Sequence, residues 1–204
     1  MTRPVVVVAP AQRDEDRAEW FELRGGFAIV LADGAGGRSG GREAADAVLR
    51  GVRARARELE GAGATGCAEV LEAVDRELVT QRHGGEATAV VVVVRGREVV
   101  GASVGDSGAW LVGPAGVREL TGRQVRKPFV GVGSATATGF VAFAQPDERL
   151  LVASDGLLKS VDRERIVAAS LSGPLAQAAR CLVDQARLPS GGLQDDVAVV
   201  VWEP

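Results

Sequence analysis

The segment EATAVVVVVRGREVVGASVGDSGAWLVGPAGVREL, residues 86–120, decides the fold. Two apolar runs flank the short turn Arg95-Gly96-Arg97, and two more runs flank Gly113-Pro114. Valine-rich runs separated by such short turns predict antiparallel hairpins. Consecutive hairpins argue against a doubly wound parallel sheet, because parallel strands need long crossover connections.

The sequence on either side of this segment adds more strands and two blocks of helices. Strands are predicted for RPVVVVAP (3–10), for GGFAIVLAD (25–33), for the two arms of GFVAFAQPDERLLVASDG (139–156) around Pro146-Asp147, and for GGLQDDVAVVVWEP (191–204). Apolar residues at helical spacing predict helices over 41–60, 67–82, 162–172 and 174–188. Antiparallel strands with grouped helices predict an α+β layered sandwich. Since no linker, repeat or low-complexity tract interrupts the chain, we expect one domain over residues 1–204.

Composition and charge exclude several classes of protein. The 204 residues are 46% hydrophobic and 25% charged, with a net charge of −3, which gives no basic field for nucleic acid. No apolar run approaches the ~18 residues of a membrane span. The apolar part of the N-terminus is too short for a signal peptide. We therefore expect a cytoplasmic protein with no nucleic-acid or membrane partner.

The cysteine and histidine residues do not suggest nucleophilic or thiolate chemistry. Cys67 and Cys181 lie far apart in predicted helices, a pattern typical of unpaired, buried thiols. His83 is the only histidine and has no nucleophile motif beside it, so QRHGGE (81–86) is interpreted as the polar end of a helix.

Acidic residues recur at the ends of the predicted strands. A carboxylate beside a buried strand is costly unless it is paired or binds a cation. Mg²⁺ and Mn²⁺ take oxygen ligands, so convergence of several such acids predicts a divalent-metal site. Each acid alone is equally typical of a turn, as in Asp33-Gly34, and only the recurrence favours the metal site. The acids are Glu15, Asp16, Asp33, Asp106, Asp155, Asp195 and Asp196.

Four motifs occur in order: LADGAGGRSGG (31–41), GEATAVVVVV with VVGASVGDSGAWLV (85–112), RLLVASDGLLKSV (149–161) and LQDDVAVVV (193–201). Together they resemble the metal-dependent Ser/Thr protein phosphatases of type 2C, over residues 15–201. The resemblance implies a four-layer α-β-β-α sandwich of two antiparallel sheets flanked by helix pairs. It also implies that two Mn²⁺ or Mg²⁺ ions, with a third possible, activate a bridging water that attacks the phosphoserine or phosphothreonine of a phosphoprotein substrate.

The resemblance further implies a role for each acid. Asp33 would bridge both ions, and the Gly34 carbonyl would bind one of them. The other implied roles are Asp155 and Asp195 on the first metal, Glu15 on the second, Asp16 as the hydrogen-bond acceptor for water held by that metal, and Asp106 on a weaker third metal. Asp16, Asp33, Asp155 and Asp195 are the implied catalytic residues.

The sequence departs from the family pattern at several positions. Ala35 replaces a methionine, and Asp196 replaces an asparagine and adds a charge near the site. Ala11 occupies the usual place of the phosphate-binding arginine, which makes nearby Arg13 the candidate for that role. The long flap of the family is reduced to residues 121–139, whose basic residues Arg123, Arg126 and Lys127 are interpreted as a solvated loop.

Three functional hypotheses remain open from the sequence. The first is an active, compact phosphoprotein phosphatase. The second is a partner-switching phosphatase that acts on a serine-phosphorylated regulator of a sigma factor, which the short flap favours. The third is a pseudo-phosphatase that binds a phosphoprotein without cleaving it, which the displaced arginine favours. A calcium-stabilised β-sandwich fits poorly, because such sites usually draw their ligands from one contiguous loop.

Overall fold

A computed structural model describes residues 2–35, 40–81 and 84–204. His83 and the segment 36–39 of the first motif lie outside the described residues. The strands are β1 (Val5–Ala9), β2 (Asp16–Leu23), β3 (Gly26–Gly34), β4 (Ala87–Arg95), β5 (Glu98–Val104), β6 (Gly108–Gly113), β7 (Gly116–Glu119), β8 (Thr138–Phe143), β9 (Arg149–Ala153) and β10 (Val197–Trp202). The helices are α1 (Gly41–Ala54), α2 (Ala56–Leu59), α3 (Ala64–Thr80), α4 (Asp155–Leu158), α5 (Arg163–Ser170) and α6 (Leu175–Gln185).

The strands form two five-stranded antiparallel sheets. One sheet has the order β1-β10-β9-β6-β7 and the other the order β2-β3-β4-β5-β8. Helices α1 and α3 cover the second sheet, and α5 and α6 cover the first. The predicted α+β sandwich of two antiparallel sheets between helix pairs is thereby confirmed.

The valine run of β4 shows why this sequence gives four layers. Successive side chains of a strand point to opposite faces of its sheet. Val90 and Val92 therefore pack between the two sheets, whereas Val91 and Val93 pack against the helices. A strand covered on both faces has to be apolar along its buried length, and β4 is apolar from Ala89 to Val94.

Two local features differ from the sequence prediction. β2 was not predicted, because four of its eight residues are charged and interrupt the apolar run. The helix predicted over 41–60 is interrupted at Arg55, which leaves α1 and α2 as separate helices. The turn predicted at Pro146-Asp147 is present and joins β8 to β9, which belong to different sheets.

Cys67 is buried, Cys181 is half-buried, and both are free thiols. Within the described part of the chain, no helix is both long enough and apolar enough to cross a membrane.

Candidate active site

One cleft at an end of the sandwich collects the residues predicted from the sequence. Its volume is about 890 Å³. Asp16 is the exception, since it is buried with 2% of its surface exposed and does not line the cleft. The predicted residues that do line it are Arg13, Glu15, Asp33, Gly34, Asp106, Asp155, Asp195 and Asp196.

Strand pairing and sheet packing bring three of the carboxylates together. Asp16 and Asp33 are directly opposite each other on β2 and β3, a register that places side chains in contact. Asp155 follows β9 of the other sheet and begins α4, and its carboxyl hydrogen-bonds with that of Asp33. Two sheets therefore contribute acids to the same point.

Gly34 allows the acidic loop to approach Asp33 closely. A Cβ at this position would lie 2.5 Å from the carbonyl oxygen of Gly41 and 2.9 Å from Cβ of Glu15. Real Cβ atoms do not make contacts this short, so only glycine fits between Glu15 and the start of α1. The Gly34 N–H also donates to the Glu15 carbonyl oxygen, at 3.3 Å.

Burial and mutual repulsion make these carboxylates hard to ionise together. Burial raises the pKa of Asp33, and the charges of Asp16 and Asp155 raise it further. Burial likewise raises the pKa of Asp16, with Asp196 adding to the effect and a hydrogen bond from Ser154 opposing it. Without a cation, the cluster therefore holds protons that free carboxylates would have released at neutral pH.

The same observations test whether the residues suit divalent cations. The donors that line the cleft are carboxylates, with the Gly34 carbonyl beside them, and hard cations prefer oxygen ligands. Oδ2 of Asp16 is buried and has no hydrogen-bond partner, which is costly unless something binds there. Within residues 2–35, 40–81 and 84–204 no group of three or more acids, cysteines or histidines is arranged, as it stands, so that it could hold a metal ion. The carboxylates instead contact one another and a lysine, and they suit two ions that would replace the shared protons.

Asp196 organises the loop that carries Arg13 and Glu15. It is 4% exposed, and its two oxygens accept the N–H groups of Ala11 and Glu15, each at 2.6 Å. The two bonds go to different oxygens, and an asparagine would turn an NH2 donor, in place of one of these acceptors, toward one of the two N–H groups. This pair of bonds gives a physical reason for the departure of Asp196 from the family pattern.

Arg13, rather than Ala11, reaches the cleft. The next residue, Asp14, has a positive φ of 53° and pairs with Arg42 at 2.7 Å. Nη2 of Arg42 also donates to the Arg13 carbonyl oxygen, at 3.3 Å. The charge of Arg13 lowers the pKa of Glu15, against the larger opposing effect of burial. Arg13 thus lies beside the acids, and its binding of phosphate stays a prediction.

Asp106 lies on the cleft wall, where it contacts a lysine that the sequence analysis did not consider. Nζ of Lys159 donates to Oδ2 of Asp106 at 2.6 Å and to Oδ2 of Asp155 at 2.7 Å. These two hydrogen bonds raise the pKa of Lys159 above its ordinary value, so the side chain stays charged. The spacing of four residues between Asp155 and Lys159, typical of helical ion pairs, was the available signal.

The wall opposite the acids is held by a second residue that the sequence did not reveal. Asp75 of α3 is 1% exposed, and it was hidden within a helix whose inward face is otherwise apolar. Its carboxylate accepts backbone N–H groups from Gly131, Val132, Gly133 and Ala135, at 2.7–3.0 Å. Gly131 and Val132 line the cleft, so Asp75 fixes this wall from behind.

The basic residues of the short flap differ in position. Lys127 lines the cleft together with Phe129, and its ammonium lies 5.3 Å from the centre of that ring. Arg123 and Arg126 are exposed and do not line the cleft. The solvated-loop interpretation fits these two arginines, whereas Lys127 lies where an anionic ligand would enter.

Residues 24–204 match the family model described as stage II sporulation protein E (SpoIIE). The chain belongs to the SpoIIE family. Its domain is of the type 2C phosphatase kind, which confirms the resemblance seen in the sequence. The matched range contains Asp33, Asp106, Asp155 and Asp195, and it begins after Arg13, Glu15 and Asp16. No curated protein sequence matches this SpoIIE-family chain.

Solved structures with the same fold are bacterial serine or serine/threonine phosphatases. A bacterial serine phosphatase superposes with a TM-score of 0.86 at 18% identity, covering 98% of this chain and 97% of its own. Stp1 from Staphylococcus aureus gives 0.86 at 18% identity, covering 100% and 95%. The catalytic domain of PstP, in complex with two manganese ions, gives 0.82 at 22% identity, covering 98% and 96%. At these identities the likeness establishes the fold of the SpoIIE-family domain.

Proposed function

We propose that this SpoIIE-family domain is a Mn²⁺- or Mg²⁺-dependent phosphatase that hydrolyses phosphoserine or phosphothreonine in a protein substrate. The observation that carries the proposal is the meeting of Glu15, Asp33, Asp155 and Asp195 in one cleft, although they lie in or beside strands of two different sheets. The manganese ions of the PstP structure support divalent cations for this fold.

The cleft residues divide into two groups that would share Asp33. Asp155 and Asp195 would hold the first ion with Asp33, Glu15 would hold the second with Asp33, and the Gly34 carbonyl would bind one of the two. When bound, the two ions supply Lewis-acid activation of water and neutralise charge on the phosphoryl group.

The remaining polar residues at the cleft would orient water and bind the phosphoryl group. Oδ2 of Asp16 lacks a partner and would accept a hydrogen bond from water beneath the cleft. The Arg13 guanidinium suits a phosphoryl group because its planar fork donates two parallel hydrogen bonds. Lys127, on the other wall, would add a second positive charge.

Covalent catalysis through cysteine does not fit the site. No cysteine is among the described residues that line the cleft. Cys67 lies on the buried face of α3, in the core between the helices and their sheet, and burial raises the pKa of its thiol to about 11, which disfavours the thiolate. Direct attack by water is therefore the mechanism that the residues support.

Hydrolysis of p-nitrophenyl phosphate and of a phosphoseryl peptide, with Mn²⁺ and with chelator, tests the proposal. We expect turnover with Mn²⁺, none with chelator, and none for Asp33→Asn that keeps the native circular dichroism spectrum. Asp147→Asn, at an exposed turn outside the cleft, is the matched control and should keep full activity. If the Mn²⁺-loaded wild-type protein turned over neither substrate, the proposal would be wrong.

A non-catalytic binding module is a second candidate, and one observation favours it. Lys159 already pairs with Asp155, a proposed ligand, and would oppose a weakly bound ion nearby. Calorimetric titration with Mn²⁺ separates the two functions, because a non-catalytic module should bind no Mn²⁺ at millimolar concentration.

The partner-switching alternative rests on the short flap. Comparing the rates on a phosphorylated sigma-factor regulator and on an unrelated phosphoseryl peptide tests it.

A further inference from the structure

Lys159 lies between the two carboxylates that a third metal ion would need. Its ammonium is 2.6 Å from Oδ2 of Asp106 and 2.7 Å from Oδ2 of Asp155. The two acidic side chains are 20% and 22% exposed, so the pairs are shielded on the carboxylate side more than ordinary surface ion pairs. Lys159 is itself 55% exposed, and only its ammonium enters the site.

The local backbone holds Lys159 in this position. Lys159 donates its N–H to the Asp155 carbonyl oxygen at 2.8 Å, which closes the turn of α4. A Cβ on Gly156 would lie 1.9 Å from the Asp196 carbonyl oxygen, so α4 is packed directly against the residue that begins the last strand. Ser154, which precedes Asp155, forms two hydrogen bonds with Ala198. Its hydroxyl oxygen accepts the Ala198 N–H at 2.9 Å, and its own N–H donates to the Ala198 carbonyl oxygen at 3.0 Å. The turn that presents both Asp155 and Lys159 is thus anchored to the sheet.

An ammonium and a divalent ion cannot both bridge these two oxygens. Mg²⁺ binds carboxylate oxygen at about 2.0–2.1 Å. An ion bound to both Oδ2 atoms would occupy the place of Nζ, and an ion bound to only one of them would be repelled by the positive charge of Lys159. The residues therefore do not fit a third ion between Asp106 and Asp155, contrary to the role that the sequence resemblance implied for Asp106.

We propose that the Lys159 ammonium replaces the third divalent ion, so that the centre binds two ions and Asp106 ligates none. This rests on the proposed two-metal function. Lys159 is a positioning residue: by holding Oδ2 of Asp155 it leaves the other oxygen of that carboxylate for Asp33 and the first metal. Asp106 acts as the second anchor of the lysine.

The number of bound Mn²⁺ ions, measured by equilibrium dialysis and calorimetry, tests this inference. We expect two ions for the wild-type protein and three for Lys159→Met, the third being the weakest. Asp106→Asn should keep two, and the double variant Lys159→Met/Asp106→Asn should return from three to two. Lys127→Met is the matched control, because it removes the other lysine of the chain and should keep the count at two.

Three ions on the wild-type protein, two on Lys159→Met, or one on Asp106→Asn would each overturn the inference. Thermal unfolding in chelator establishes that each variant is folded, and the Asp106→Asn count decides if Lys159→Met does not fold. The ion count and the phosphatase assay together distinguish failure of this inference from failure of the proposed function. Three ions with phosphatase activity would refute only the role of Lys159, whereas two ions with no turnover of any phosphomonoester would refute only the phosphatase.

Discussion

Asp196 has a structural role that requires both oxygens of an ionised carboxylate. Its two oxygens accept two backbone N–H groups of the loop that carries Arg13 and Glu15. Its neighbour Asp195 is exposed and lines the cleft. Adjacent aspartates thus have different tasks: one shapes the loop, and the other is available to a cation.

Asp196→Asn should therefore destabilise the protein more than Asp195→Asn. Loss of a hydrogen bond to a buried charge costs about 1.5–3 kcal/mol, and we expect the free energy of unfolding of Asp196→Asn in chelator to fall by that amount. Asp195→Asn should change it by less than about 0.5 kcal/mol, as exposed substitutions usually do, yet weaken Mn²⁺ binding. Urea denaturation and calorimetric titration measure the two effects. Equal stability losses for both variants would contradict this assignment.

At the scale of elements, the apolar runs revealed their strands, and the charged strand β2 stayed undetected. β3 and β4 are apolar on both faces, and that signal does not depend on knowing their neighbours. β2 has charged residues at half of its positions, and its recognition requires knowing that β3 lies beside it. The order of the strand-end acids was equally visible, and it located the cleft.

What the sequence could not supply was contact between distant segments. Asp75 is an isolated acid in a helical pattern, and its four partners are 56 or more residues away along the chain. Lys159 falls in none of the predicted elements, and only tertiary packing places its ammonium beside Asp106. Arg13 required the loop geometry that Asp196 imposes. Each of these depends on tertiary packing, which no local pattern encodes.

Asp75 links α3 to the cleft wall, so its substitution should affect both stability and substrate binding. Asp75→Asn leaves several N–H groups short of an acceptor, and an unsatisfied buried group costs about 1–3 kcal/mol. We expect a loss of stability in that range and a higher KM for a phosphoseryl peptide, with kcat less affected. Glu72→Gln, on the same helix with one N–H bond of 3.3 Å, is the control and should change little. An unchanged KM for Asp75→Asn would show that this wall does not bind substrate.

For the whole molecule, the cleft acids couple folding to pH and to metal. The pKa values of Asp16 and Asp33 are raised in the folded protein, so the folded chain binds protons more tightly than the unfolded one. The stability that these two groups add to the folded protein is complete below their pKa in the unfolded chain, about 3.9. This stability is lost as the pH rises toward their raised pKa values in the folded protein. The pKa of Glu148 is lowered by Arg118, and that contribution is lost only on acidification.

The metal-free protein should accordingly become less stable between pH 5 and pH 8. Mn²⁺ must displace protons to bind, so it should raise the unfolding temperature more at pH 8 than at pH 5. Differential scanning calorimetry at both pH values, with Mn²⁺ and with chelator, measures this. Asp33→Asn should flatten both dependences. A metal-free protein whose stability rises steadily over this range would contradict the electrostatic account of the cleft.

A crystal soaked in Mn²⁺ shows directly whether acids from both sheets form one divalent-metal centre, because anomalous diffraction locates manganese specifically. We expect two anomalous peaks in the cleft, joined by the Asp33 carboxylate, with Lys159 still between Asp106 and Asp155. A cleft without manganese at millimolar concentration would refute the metal centre, and a peak between Asp106 and Asp155 in place of Lys159 would refute the role of the lysine.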